Sequence, residues 1–517
     1  MPRRPTFLIK PTLAAALITL ADLLFYDTEE HLGAGLGLFA LAWVLAAAIA
    51  NTAIWRDPRA RIAAGLAAAF GLLLVETFTL LGWLLFCTAL AVAVLSPRAG
   101  RADDAWRWTQ RLVFQGVAGL IAPAVDWMIL RKARRRAPPR RLLATLGLLA
   151  VPVLGGLVFF VLFAFANPLI SQALARLRIP PPDFGRGVFW LVPLIPIWGA
   201  LRPRFMRRPL TLPAPRGRPT PGVSAASVTL SLVVFNALFA GQNALDLAFL
   251  WSGAPLPDGV TLAQYAHRGA YPLIVTALLA GLFVLVALRP GSETAARPLV
   301  RGLVIVWIAQ NLFLVASTIL RTLDYVEAYS LTRLRIAALA WMVLVAVGLI
   351  LICWRLLKSR SASWLINANV LCAGLVLTLA SVVDEGALAA AWNVRHAREV
   401  GGRGAELDFC YLAKLGDSAL LPLLHLEQAK VPAAFRDQAA YVRANAMEEL
   451  RLEQSHWRSW TWRGQRRLDR ARGLLAAHPT PPPLPGYRDC TAQLMPVSKT
   501  AGVSAAPAAP LTPPPAD

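Results

Sequence analysis

The sequence predicts an all-α, polytopic integral membrane helix bundle, and three observations lead there. Hydrophobic residues make up 57% of the 517 and charged residues only 16%, against roughly 25% charged in an ordinary soluble domain. Up to residue 383 the chain carries apolar stretches long enough to cross a hydrocarbon core of roughly 30 Å. The excess of basic residues, a net +23, gathers in alternate connections between those stretches. Together these give about 11 spans, with the N-terminus inside, the C-terminus outside, and a small helical extracytoplasmic C-terminal domain.

The spans are expected near 12–25, 32–54, 62–76, 78–95, 142–165, 187–201, 228–250, 271–288, 303–320, 336–354 and 365–383. The first has a basic start but lacks a small-x-small cleavage pattern in Leu20-Ala21-Asp22-Leu23, so it reads as a retained span. The run Ile62–Leu95 is about 50 Å long as one helix. With Glu76 near its middle, it reads as a hairpin turning at Glu76-Thr77 on the outer surface; a single crossing paired with a crossing at Leu112–Leu130 is the alternative. Residues 105–130 mix Trp106, Trp108 and Trp127 with Arg107, Arg111 and Asp126 and are read as a helix on the inner surface. Residues 384–478 carry helix formers with interspersed apolar positions, and residues 479–517 form a Pro/Ala-rich tail expected to be disordered.

Orientation rests on the basic residues. Met1–Val383 holds 36 of them against 15 acidic, and the remainder of the chain 16 against 14. Under this threading 29 of the 36 fall inside, as the positive-inside rule requires. They leave Arg176, Arg178, Arg186, Arg268, Arg321, Arg333 and Arg335 outside. The expected partners are the lipid bilayer and anionic lipid at the inner basic loops. Nucleic acid is not expected, since Arg131–Arg141 has no interleaved aromatics.

Polar groups within spans are costly and mark sites. Residues 228–250 carry Asn236, Gln242, Asn243 and Asp246; residues 303–320 carry Gln310 and Asn311, continued outward by Arg321 and Asp324. The connection after the first of these spans holds His267 and Arg268. These ten residues are the ligand-binding candidates. On one reading they line an outward-facing polar cavity in which Arg268 and Arg321 hold an anion. On the other, the amides join helices across the bundle and the outer arginines pair with Asp246, Asp258, Asp324 and Glu327. No catalytic residue is identifiable. The six histidines show no ligand spacing, so no metal and no cofactor is expected. Gly401-Gly402-Arg403-Gly404 reads as a flexible turn. Cys87, Cys353 and Cys372 fall in spans, whereas Cys410 and Cys490 fall outside, where a disulfide between them is the hypothesis.

Several strings resemble a known bacterial family. They are Phe163-Ala164-Phe165-Ala166-Asn167-Pro168-Leu169, Gly241-Gln242-Asn243-Ala244-Leu245-Asp246, the run from Ala263 to Pro272, and the run from Tyr325 to Arg335. The family is the multi-pass membrane proteins grouped as domain of unknown function 4173, related to the 4153 type. The resemblance covers about Ala21 to Leu424 and implies a topology and the bacterial cytoplasmic membrane, with no assigned activity. The leading functional expectation is a transporter-like or ligand-binding component acting on a polar or anionic envelope molecule. The alternatives are a membrane-embedded enzyme modifying a lipid or glycan precursor, and a non-catalytic sensor or scaffold using residues 384–478 to bind a protein partner.

Overall fold

The computed structural model describes residues 5–26, 33–99, 103–136, 184–210, 225–252, 279, 283 and 297–495. The expected span near 142–165, that near 271–288 apart from residues 279 and 283, the candidates His267 and Arg268, and the chain beyond 495 lie outside the described residues. Among the described residues there are fifteen α-helices and no strand. Seven helices are long and apolar enough to cross a membrane, and two shorter ones are apolar. The fold is a helical polytopic bundle. It divides into two compact units: residues 1–320, 339–383 and 453–465 form the first, and residues 321–338, 384–452 and 466–517 the second.

The first unit opens with α1 (Pro5–Phe25), α2 (Ala34–Ala50), α3 (Pro58–Glu76) and α4 (Leu80–Leu95). Asp57 caps α3 by accepting from the Arg59 amide at 3.1 Å, with Pro58 at the first helical position. Thr79 caps α4 by accepting from Gly82. The run 62–95 is therefore two helices joined by Thr77-Phe78-Thr79. A stripe of small residues on α3, Ala60, Ala63, Ala67 and Gly71, is buried and lets helices approach closely, the usual membrane solution. Gly71 meets Ala40 and Leu41 of α2, and a Cβ on Gly37 would strike Val75. Trp43, Trp83 and Phe86 cluster beside it with ring centroids 5.2–6.2 Å apart.

Helix α5 (Ala105–Arg136) packs on α6 (Phe184–Leu201). Pro203 has no N–H to offer the Gly199 carbonyl four residues back, and Gln115 of α5 donates to it instead at 2.7 Å. The same Gln115 accepts from the Arg204 amide at 2.6 Å. Asp126 accepts from Trp198 and Arg204 and pairs with Arg202. At the other end of α5, the Ala105 amide donates to Asn367 and Asp104 accepts from Ser363. The polar side chains thus face protein, while Val113, Val117, Leu120, Ile121 and Ile129 are exposed.

Helices α7 (Ala225–Asp246), α8 (Pro298–Tyr329), α9 (Arg333–Leu357) and α10 (Ala362–Val382) follow. Val228, Leu232, Val304, Trp307, Ile308 and Leu349 form a core in the first unit, ringed by Phe235, Phe239 and Phe283. Helix α7 loosens into a π-turn over Leu247–Trp251.

The second unit is built on α11 (Glu385–His396), α12 (Phe409–Lys414), α13 (Leu420–Gln428) and the greater parts of α14 (Ala433–Ser455) and α15 (Trp462–Ala477). Its core takes Ala389, Ala390, Phe409, Leu412, Leu423 and Val442, with a second cluster of Leu420, Leu424, Leu450 and Leu468. Glu427 and Arg443 make a buried, two-bonded ion pair.

Of the tail from 479 onward, the residues as far as Met495 are described and are held by side-chain contacts. Arg488 is buried, donates to the Ala492 and Leu484 carbonyls and pairs with Asp437 at 2.7 Å. Cys490 is disulfide-bonded to Cys410, with Cα atoms 4.9 Å apart. The Pro/Ala average over 479–517 concealed these anchors, which lie before the proline-rich end.

Candidate functional site

Two polar assemblies stand out, one in each unit. In the first unit, α7 and α8 are joined by side-chain amides. Asn236 donates to the Leu303 carbonyl at 3.0 Å, and Gln310 donates to the Asn236 carbonyl oxygen at 3.1 Å. Asn243 donates to the Gln310 backbone carbonyl at 3.2 Å. Positions 236 and 243 meet 303 and 310, so both partners advance by seven residues together and the two helices run parallel. Two turns further, the Trp251 indole donates to Ser317. Gln242 donates to Asp246 at 3.0 Å, and Asp246 is fully buried. Asn311, also buried, donates within its own helix to Trp307. Among the described residues no donor reaches the side-chain oxygens of Asn243, Gln310 and Asn311.

In the second unit a cavity of about 370 Å³ opens between the end of α8, the end of α11 and the glycine-rich turn that follows. Its walls carry Asp324, Glu327 and Ser330 on one side, Trp392, Asn393 and His396 on another, and Arg403 and Gly404 on the third. Positions 323, 326–327 and 330 recur at helical spacing, and so do 392–393 and 396, so each helix presents one face.

Local sequence chemistry explains how these walls are held. Asn393 is buried and pins the α8–α9 connection from both sides, accepting from the Leu331 amide at 2.6 Å and donating to the Leu331 carbonyl at 2.9 Å. Beside it Ser330 sits in the left-handed region at φ 69°. Arg335 donates to the carbonyls of Tyr329 and Ser330 and lies 4.3 Å over the Tyr325 ring. A non-glycine residue there is strained and is held by its surroundings. The turn after α11 closes back on the helix end. Gly404 donates to the His396 carbonyl at 2.9 Å and Gly402 to Ala397 at 3.0 Å, and Gly401 is left-handed at φ 83°. A Cβ on Gly402 or Gly404 would collide with the His396 carbonyl. The run read as a flexible turn is thus a fitted cap that carries Arg403 to the cavity.

Across the cavity, carboxylates oppose a guanidinium and an imidazole. Among the described residues no ion pair joins Asp324 or Glu327 to Arg403 or His396. The His396 ring stacks on Trp392 with centroids 3.9 Å apart, and its Nδ1 donates to the Trp392 carbonyl at 2.9 Å. Trp392 is 40% exposed.

The ten candidates therefore scatter. Asn236, Gln242, Asn243, Asp246, Gln310 and Asn311 belong to the first unit, and three of them, Asn236, Asn243 and Gln310, form the amide seam between α7 and α8. Arg321 is buried and Asp324 lines the cavity, both in the second unit. Of the outer arginines, Arg186 pairs with Asp22, and Arg335 uses the carbonyls of Tyr329 and Ser330 and a tyrosine ring. Trp392, His396 and Arg403 escaped the sequence reading because α11 lies outside the spans, where polar residues are cheap. The signal was there in Trp392-x-x-x-His396, one helical turn apart and followed by a three-glycine turn.

Neither curated proteins nor solved structures yield a match to the chain. One family profile does, over residues 62–426, taking in α3 to α13 and most residues of both assemblies. A match over more than half of the chain, on a helical bundle with apolar helices, places this protein in the family described as domain of unknown function DUF4153.

Proposed function

We propose that the protein is a ligand-binding component of the bacterial cytoplasmic membrane that holds a polar envelope molecule in the cavity of its second unit, on the outer side. The finer likeness to the 4173 type rests on the strings around Gln242, His267 and Tyr325. The observation that carries the functional reading is the cavity itself: charges of both signs, unpaired among the described residues, with an exposed tryptophan at one place. Ligand sites combine an aromatic surface with a few placed polar groups in this way.

Contacts within the first unit support the eleven-span threading. Asp22 meets Arg186, both at span ends expected outside, and Glu76, at another such end, meets Arg463 of the C-terminal region expected outside. The turn 456–463 touches Gly35 at the start of α2 and Val382 at the end of α10, also outer ends. Lys10 feels Arg98, Arg202 and Asp126, all expected inside. Helix α5 is about 33 Å long between Asp104 and Asp126, yet both residues pair with groups at inner ends. That supports a helix lying along the inner surface, with its exposed apolar face toward lipid and anionic lipid at the neighbouring basic loops. The Cys410–Cys490 disulfide supports an oxidising, extracytoplasmic location for the second unit, where residues 384–478 are also available to a protein partner.

The test is direct. Full-length protein in nanodiscs is titrated calorimetrically with soluble envelope head-group compounds, alongside Trp392→Ala. Saturable binding that the substitution weakens upholds the reading. Binding indifferent to Trp392, or none at all, overturns it.

A further inference from the structure

The cavity has a sign. Two carboxylates, Asp324 and Glu327, stand against one guanidinium, Arg403. The last turns of α8 and α11 both border it, and helix C-terminal ends carry partial negative charge. A simple anion therefore meets net repulsion. A simple cation leaves Arg403 without a counter-charge, and a neutral sugar leaves all three charges so. What satisfies every wall is a molecule with a cationic end and an anionic end.

We infer that this site, if the binding reading above holds, takes a zwitterion with a protonated primary amine and a phosphate, an aminoalkyl phosphate. The ammonium sits between Asp324 and Glu327, which lie three apart on α8 and so within about 5–6 Å at Cβ, and against the exposed part of Trp392, where a cation gains from the ring face. The phosphate takes Arg403, whose planar fork matches two phosphate oxygens. The 370 Å³ volume lies at the small end of ligand sites, enough for a head group and too small for acyl chains. The same chemistry is offered by a phospholipid head group and by a free aminoalkyl phosphate.

The experiment uses full-length protein in nanodiscs of phosphatidylglycerol, a lipid whose head group carries no amine. O-phosphoethanolamine, ethanolamine, inorganic phosphate, glycerol 3-phosphate and N-acetylglucosamine are titrated calorimetrically. O-phosphoethanolamine should bind about tenfold tighter than ethanolamine, the worth of one charge-assisted contact, and the two amine-free phosphates should not bind measurably. Arg403→Ala should bring O-phosphoethanolamine down to the affinity of ethanolamine while leaving ethanolamine unchanged. Glu327→Gln should weaken both. Unchanged unfolding temperature and free-thiol count show that each variant is folded. Phosphate binding without an amine, or an Arg403→Ala variant equal to wild type, refutes the zwitterion. N-acetylglucosamine binding lost in Trp392→Ala, with no response to O-phosphoethanolamine, refutes the zwitterion but preserves the binding function. Silence from every probe refutes both. Phosphatidylethanolamine nanodiscs then name the source: competition with the free probe assigns the lipid head group, and an unchanged affinity assigns the soluble compound.

Discussion

Asp384 makes three attachments with one carboxylate. It caps α11 by accepting from the Ala387 amide at 2.8 Å, accepts from the Ser418 hydroxyl at 3.1 Å, and pairs with Arg467, which also pairs with Asp417. Burial works to raise its pKa, but the Ala387 amide, the Arg467 guanidinium and the Ser418 hydroxyl outweigh it and hold the carboxyl below its ordinary range. A carboxylate depressed in the folded state contributes stability that is complete above its unfolded pKa, about 3.9. That stability is lost as the pH falls through the lower folded value. Asp384→Asn keeps a competent cap and removes the charge. It should cost about 1.5–3 kcal/mol at neutral pH, the range for a hydrogen bond to a charged group, and flatten the acid limb. Unfolding of the full chain in detergent from pH 7 to pH 3 measures this, and an acid limb as steep as wild type would place the dependence on other groups. The residue scale was the least legible from sequence. Asp324 was found because it continues a polar stripe, whereas Arg403 needed the turn that carries it.

Elements here are joined by backbone as much as by side chains. The first amides of α2 have no partner within their helix; Ala34 donates to the Trp460 carbonyl at 2.7 Å and Gly35 to Arg458 at 3.0 Å. A Cβ on Gly33 would run into the Ser459 carbonyl, so Gly33→Ala should release this turn from the start of α2. Protease sensitivity between residues 453 and 465 should rise while α3 and α4 stay protected; equal protection would show that the turn yields without parting. The amide seam makes a different demand. Gln310→Leu keeps the bulk of the side chain and loses the bond to Asn236. Amide bonds between membrane helices are worth about 0.6–2 kcal/mol, so the loss should fall in that range by detergent unfolding. A larger effect, with binding of the cavity ligand abolished, would mean that the seam serves more than packing. The seam residues were legible because amides in apolar stretches stand out, and their seven-residue spacing announced a shared face. The glycine caps were not, because what makes Gly33 or Gly402 necessary is a carbonyl brought up by distant or folded-back chain.

At the scale of the whole molecule, composition and the placement of arginines were enough to read a helical polytopic bundle, because lipid tolerates little else. They did not reveal that the 453–465 segment packs with the first unit, since its three tryptophans look the same on a soluble helix. That segment now bears on topology. It touches the starts or ends of α2, α3 and α10, so it shares a side with Glu76. Counting α5 as an added crossing, without removing another, would carry the basic groups at Arg131–Arg141, Arg202–Arg218, Arg289–Arg301 and Arg355–Arg360 outward, against the positive-inside rule. It would also bring the Cys410–Cys490 disulfide into the reducing cytoplasm. The two arrangements swap the sides of two exposed residues, Arg208 and Arg470. Cysteine placed at each, Arg208→Cys and Arg470→Cys, is exposed in intact spheroplasts to a membrane-impermeant maleimide. With eleven crossings, Arg470→Cys labels at once and Arg208→Cys labels only after lysis. The reverse pattern makes α5 a crossing and puts the second unit, with its cavity, on the cytoplasmic side.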